Sequence, residues 1–172
     1  AVKVAVDLGI IPPTGILARL LADPDTAMET WQTCQWLGNP MPMDVIDSAL
    51  ESADPVVRKD SVIKLGHSQH ESALKKLVKM LSDDDPGVRE WAIKMLGKLD
   101  DEKAIAPLVG MLGDEEVGFH ASTALKEFGS AAEKPVIKAL KNKNVTVVKN
   151  GAGVLGQVGS WSSIKPLIKL LE

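Results

Sequence analysis

The chain repeats itself about every 31 residues, and that period constrains its fold more than any other feature. Leucines closing apolar runs stand at Leu21, Leu50, Leu81, Leu112, Leu140 and Leu171, at intervals of 29, 31, 31, 28 and 31 residues. Periods of 20 to 50 residues mark solenoids, in which one unit cannot bury its apolar face alone and stacking supplies the core. The pairs Asp23-Pro24, Asp54-Pro55 and Asp85-Pro86 align the copies, and Asp114 and Asn144 take the same column. The short intervals are deletions in the loops before Asp23 and Asp114, where length changes are cheap. The copies cover residues 22–50, 51–81, 82–112, 113–140 and 141–172, after a partial copy over 1–21.

Each copy reads as two helices. The Asp or Asn is an N-cap, with Pro at the first helical position in three copies. Val57, Ser61, Val62 and Leu65 follow helical spacing, and Gly66 is expected to break the helix. Leu74, Leu77, Val78 and Leu81 carry the second helix; Val88 to Gly97 and Ile105 to Leu112 repeat the pattern. No segment alternates with period two, so the expectation is all-α. Thr30, Ser61, Ala92, Ala121 and Gly151 form a column of small residues that lets neighbouring helices approach. Pro107, Pro135 and Pro166 share a column in the second helix, where each removes an amide and should bend or restart it.

Composition narrows the function classes. With 45% hydrophobic and 25% charged residues, the 172-residue chain suits one packed array. No apolar run approaches a membrane span and no secretion signal is visible; a single cysteine suits a reducing compartment, hence a cytoplasmic expectation. Residues 1–57 carry a net charge of −6 and residues 58–172 a net of +3. The pI near 5.7 argues against general nucleic-acid binding. Residues 1–9 align with the last part of a first helix and neither end has a polar capping repeat, so a piece of a longer array is expected, with end-to-end self-association as a possibility.

Sister copies serve as an internal control on each residue. Trp31 shares a column with Val62, Ile93 and Ala152, and Cys34 with Leu65, Leu96, Leu125 and Leu155, which assigns both to the core. Trp36 aligns with His67 and Lys98, Trp91 with Asp60 and His120, and Trp161 with Glu71 and Glu102: these are solvent-side columns. Each of the three either lies flat on a neighbour or anchors a partner, as tryptophan does at interface hot spots. Met28, Met41 and Met43 extend the apolar surroundings of Trp36. In the second helices Lys75 and Lys79, Lys134 and Lys138, and Lys165 and Lys169 recur in two columns, four residues apart on one face. They read either as a solvated face or as a basic track for acidic groups. His67, His70 and Glu71 crowd one turn without a convincing ligand pattern, and the sequence shows no catalytic set, cofactor motif or metal site.

The run Asp85-Pro86-x-Val88-Arg89-x-x-Ala92-x-x-x-Leu96-Gly97, then Ala104-Ile105-x-Pro107-Leu108-x-x-x-Leu112, resembles the short HEAT-like repeat of phycobilisome lyase subunits. The resemblance covers essentially the whole chain. It implies a right-handed alpha-alpha superhelix of about 5.5 repeats, with first helices on the convex layer and second helices on the concave one. It further implies that Arg58 and Arg89 tie adjacent repeats together through loop acids. Most relatives of this kind are noncatalytic protein-binding scaffolds; others are chromophore lyases, DNA glycosylases, or deoxyhypusine hydroxylases with several His-Glu pairs, of which only His70-Glu71 occurs here. The expectation is therefore a scaffold whose concave layer binds a protein with acidic segments through the six lysines, with Trp36, Trp91 or Trp161 as apolar anchors.

Overall fold

The computed structural model describes residues 13–34, 43–68 and 70–170, and every regular element among them is helical. The α-helices are α1 Thr14–Ala22, α2 Ala27–Cys34, α3 Met43–Leu50, α4 Pro55–His67, α5 Ala73–Met80 and α6 Pro86–Leu99. They continue with α7 Ile105–Gly110, α8 Gly118–Glu127, α9 Glu133–Ala139, α10 Val145–Val158 and α11 Trp161–Ile168. The helices stack as two-helix repeats of the α-solenoid kind, in two compact units, Ala1–Ala73 and Leu74–Glu172.

In the first unit, α1 packs on α3 and α2 on α4, so second helices neighbour second helices and first helices neighbour first helices. Trp31 is fully buried, as its column demands, and its indole Nε1 donates to Asp60 Oδ2 on α4 at 3.4 Å. The carbonyl of Leu21, orphaned at the end of α1, accepts from the buried Ser52 hydroxyl at 2.6 Å and from the Ala53 amide at 3.2 Å.

The second unit shows the same two layers. First helices α6, α8 and α10 pack in sequence, and second helices α7, α9 and α11 form the other layer. The core lies between them, in Val88, Ile93, Leu96, Leu108, Leu112 and Leu125 among others. Ser61, Ala92, Ala121 and Gly151 are all buried; a Cβ on Gly151 would lie 3.3 Å from Leu140 Cδ2. The small column thus marks where helices meet closely.

Helix starts follow the expected chemistry in three copies. Asp54 accepts from the Val56 amide at 2.8 Å, Asp85 from Val88 at 3.0 Å, and Asn144 from Thr146 at 2.8 Å. Asp23 and Asp114 instead hold turns, and their helices begin later, at Ala27 and Gly118. Helix ends depart from expectation. Gly66 and Gly97 lie inside α4 and α6 and stop neither helix. Gly97 is needed for proximity, because a Cβ there would sit 3.2 Å from that of Ala124. The stop of α6 is Asp100, in the left-handed region at φ 52°.

Pro107 and Pro135 are each the third residue of an α-helix that follows a 3₁₀ turn, over Glu102–Ala104 and Gly129–Ala132. Their missing amides fall in a first turn, where no intrahelical acceptor exists, so they restart the helix. Pro166 lies inside α11.

Polar pins join successive repeats. Arg89 Nη1 donates to the carbonyls of Asp83 at 2.9 Å and Asp84 at 3.1 Å, while its other nitrogens reach Asp114, at 3.2 Å, and Glu116 in the next loop. Burial opposes the Arg89 charge, but the hydrogen bond to Glu116 and the two carboxylates outweigh it and raise its pKa. Burial likewise opposes the Asp114 carboxylate; the amides of Val117 and Glu116 and the Arg89 charge prevail and lower its pKa. Arg58 donates to the equivalent carbonyls, Ser52 and Ala53. Asn150 Nδ2 caps the Leu112 carbonyl at 2.8 Å.

Glu133, buried at the start of α9, has Oε1 accepting from the Ser160 amide and hydroxyl at 2.8 Å and from the Ser162 and Ser163 hydroxyls at 2.7 Å. These bonds, the Ser160 amide foremost, pull its pKa from 4.5 to about 2.

Two predictions follow from this packing. Trp31→Ala should destabilise the fold by about 3–5 kcal/mol in urea unfolding, whereas Trp161→Ala should stay within about 0.5 kcal/mol. Because folding lowers the Glu133 pKa, its contribution is complete above pH 4.5 and disappears as pH falls toward about 2. Glu133→Gln should therefore be less stable than wild type at neutral pH and lose less stability across that acid window, read from thermal melts.

Candidate functional site

The lysine ladder is exposed throughout: Lys75 and Lys79 on α5, Lys134 and Lys138 on α9, Lys165 on α11 and Lys169 at its C-cap. Among these helices α9 and α11 are neighbours in the second-helix layer, and a slot of about 520 Å³ lies between them. Ile137, Leu140, Pro166 and Leu170 give it an apolar lining; Lys141, Lys165 and Lys169 edge it. The ladder at this end is therefore a basic rim on an apolar slot. Lys141 completes the rim, and sequence reasoning missed it because it follows Leu140 outside both lysine columns. Lys134 and Lys138 lie on the same helix as the slot wall but not in its lining.

Trp161 is the first residue of α11 and is 89% exposed, which agrees with its solvent-side column. Its place is set by the turn that Glu133 holds. The Ser160 side chain caps the helix at the Ser162 amide, and the Glu133 carboxylate gathers that whole first turn. Ile164 and Ile168, at helical spacing from Trp161, are also exposed.

Trp91 stands elsewhere. It belongs to α6, in the first-helix layer, and so does not share a surface layer with the lysines of α9 and α11. It lies half-buried in a groove of about 490 Å³ between α6 and α8, with Met95 and Ala124 in the lining. Lys94 Nζ lies 4.7 Å from the ring centroid and pairs with Glu90, whose Oε1 is 3.6 Å from His120 Nε2. Phe119, exposed beside it, meets the His120 ring edge-on at 6.1 Å. Sister columns marked Trp91 and His120 as solvent-side but could not show that they share one groove. Trp36, Met41 and the side chain of Cys34 lie outside the described residues.

The histidine turn has a local explanation. His70 Nδ1 is 2.8 Å from the Ser72 hydroxyl, and among the described residues no three His, Cys, Asp or Glu side chains gather as metal ligands. No described helix is long and apolar enough to cross a membrane.

Comparison with known proteins bears on the fold. No curated protein matches the chain. Two crystal structures of engineered proteins are similar at 23% and 22% identity, each with a TM-score of 0.47 and covering 98% of this chain. The alignments cover 84% and 53% of those chains respectively. The family model of HEAT repeats matches residues 43–119. That match over residues 43–119, with the two-helix units and paired layers described above, supports a HEAT-like repeat protein.

Proposed function

We propose that this protein is a noncatalytic scaffold that binds an acidic amphipathic segment of a protein partner on its second-helix layer. One observation carries the reading: the α9–α11 slot pairs an apolar lining with three lysines at its edge. An entering helix or strand would bury apolar side chains against Ile137, Leu140 and Leu170 while its carboxylates met Lys165, Lys169 and Lys141. Burial would supply the affinity, and the lysine rim would supply orientation and a faster encounter. Lys134, Lys138, Lys75 and Lys79 would extend the basic track, with Trp161 as an exposed anchor. The groove that holds Trp91 is left out of this contact by its layer. The repeat start Asp85-Pro86-x-Val88-Arg89 supports the short phycobilisome-lyase type of HEAT-like repeat, and the single cysteine supports a cytoplasmic setting.

A fluorescein-labelled synthetic helix with one leucine face and one glutamate face is a direct probe. Its affinity should fall about tenfold in the double variant Lys165→Glu, Lys169→Glu, and should weaken as salt rises. Equal binding by the variant and the wild type at low salt would defeat the proposal.

A further inference from the structure

The groove between α6 and α8 lies within the second unit, in the first-helix layer and apart from the lysine slot. Its two walls are equivalent helices of successive repeats, so residues of one column stand level with each other across it. Trp91 stands level with His120 at one end, Met95 with Ala124 in the middle, and Lys98 with Glu127 at the other end. On each wall these are positions i, i+4 and i+7, so the groove follows two turns of helix, about 10 Å. Its volume of about 490 Å³ falls within the range of small-molecule sites, which combine an apolar lining with a few polar groups.

The two ends differ in chemistry. At the first, Trp91 is half-buried and its surroundings are fixed: Lys94 Nζ lies 4.7 Å from the ring centroid and pairs with Glu90, which also neighbours His120. Where Gly97 meets Ala124 the two helices touch, a Cβ on Gly97 lying 3.2 Å from that of Ala124, so the groove has a closed floor. At the second end Lys98 and Glu127 are exposed, one on each wall, and among the described residues neither is engaged in an ion pair. The groove thus joins an aromatic, apolar end to an end with a cation on one wall and an anion on the other. Sister columns show that the repeat itself does not require this combination. In the same columns α8 and α10 set His120 against Asn150 and Glu127 against Gln157, with neither a tryptophan nor a pair of opposite charges.

Charge complementarity selects the occupant. A wholly apolar guest would leave both charges unused; a simple acid would meet Glu127, and a simple amine Lys98, with like charge. A molecule that carries a carboxylate and an ammonium on one carbon answers both walls, and an aromatic side chain on that carbon would extend toward Trp91 and Met95. We infer that the α6–α8 groove binds a free α-amino acid with an aromatic side chain, its ring against Trp91 and Met95, its carboxylate toward Lys98 and its ammonium toward Glu127. The site shares no residue with the α9–α11 slot, so it can fail while peptide binding there stands, and the reverse.

The indole signals in proton–nitrogen NMR spectra of the full chain test it, with Trp91 assigned by its loss in Trp91→Phe. L-phenylalanine should shift the Trp91 signal saturably and leave that of Trp161 in place. Phenylpropionate, which lacks the ammonium, and phenethylamine, which lacks the carboxylate, should each bind about tenfold more weakly. Lys98→Met should weaken phenylalanine about tenfold without weakening phenethylamine, and Glu127→Gln should weaken phenylalanine without weakening phenylpropionate. Both positions are exposed, so circular dichroism should show an unchanged fold. A Trp91 signal that ignores phenylalanine, equal affinity for the three compounds, or unchanged phenylalanine binding by both variants would each overturn the inference.

Discussion

The structure depends on a single constraint: a two-helix repeat of about 31 residues has more apolar surface than it can bury by itself, so each repeat completes its core with the next. Everything distinctive about the interior serves that seam. The small column lets a first helix sit close on its second-helix neighbours, as Gly151 does on Leu140 and Val136, and Gly97 lets Ala124 come so near that an added Cβ would be tight. The polar groups that stacking would strand are paired across it, as in Asn150 with the Leu112 carbonyl and Ser52 with that of Leu21.

Two of these pins are ionic and differ in kind. Arg89 spans two loops with a fork of donors, which a lysine could not reproduce, and its neighbour Asp114 is held ionised by loop amides and by the Arg89 charge. Glu133 works without a cation. Its charge is balanced by four hydrogen bonds from one helical turn, where helix N-terminal amides favour an anion. The same turn positions Trp161 and the slot beside α9, so the seam between these repeats also builds the candidate site.

Much of this was legible in the sequence because repetition supplies its own control. Trp31 departs from its sisters only in size and is core; Trp161 departs in polarity and is exposed. What the columns could not reveal were contacts between residues of different repeats. Gly97 looked like a helix stop because glycine often is one, but tertiary packing gave it another task and left the stop to Asp100. Glu133 stands in a column of Ile105 and Ile164 and gave no sign of its serine partners, which arrive 27 to 30 residues later. Trp91 was grouped with the lysines by exposure alone, and only the arrangement of layers separates them.

The claim that neighbour coverage governs this fold is tested most directly by native-state hydrogen exchange across the second unit. Helix α8 is flanked by α6 and α10, whereas α11 is covered by α9 and leaves its Ile164–Ile168 side open. In dilute protein, amides in the middle of α8 should exchange much more slowly than those in the middle of α11. Equal protection of the two helices would contradict the account.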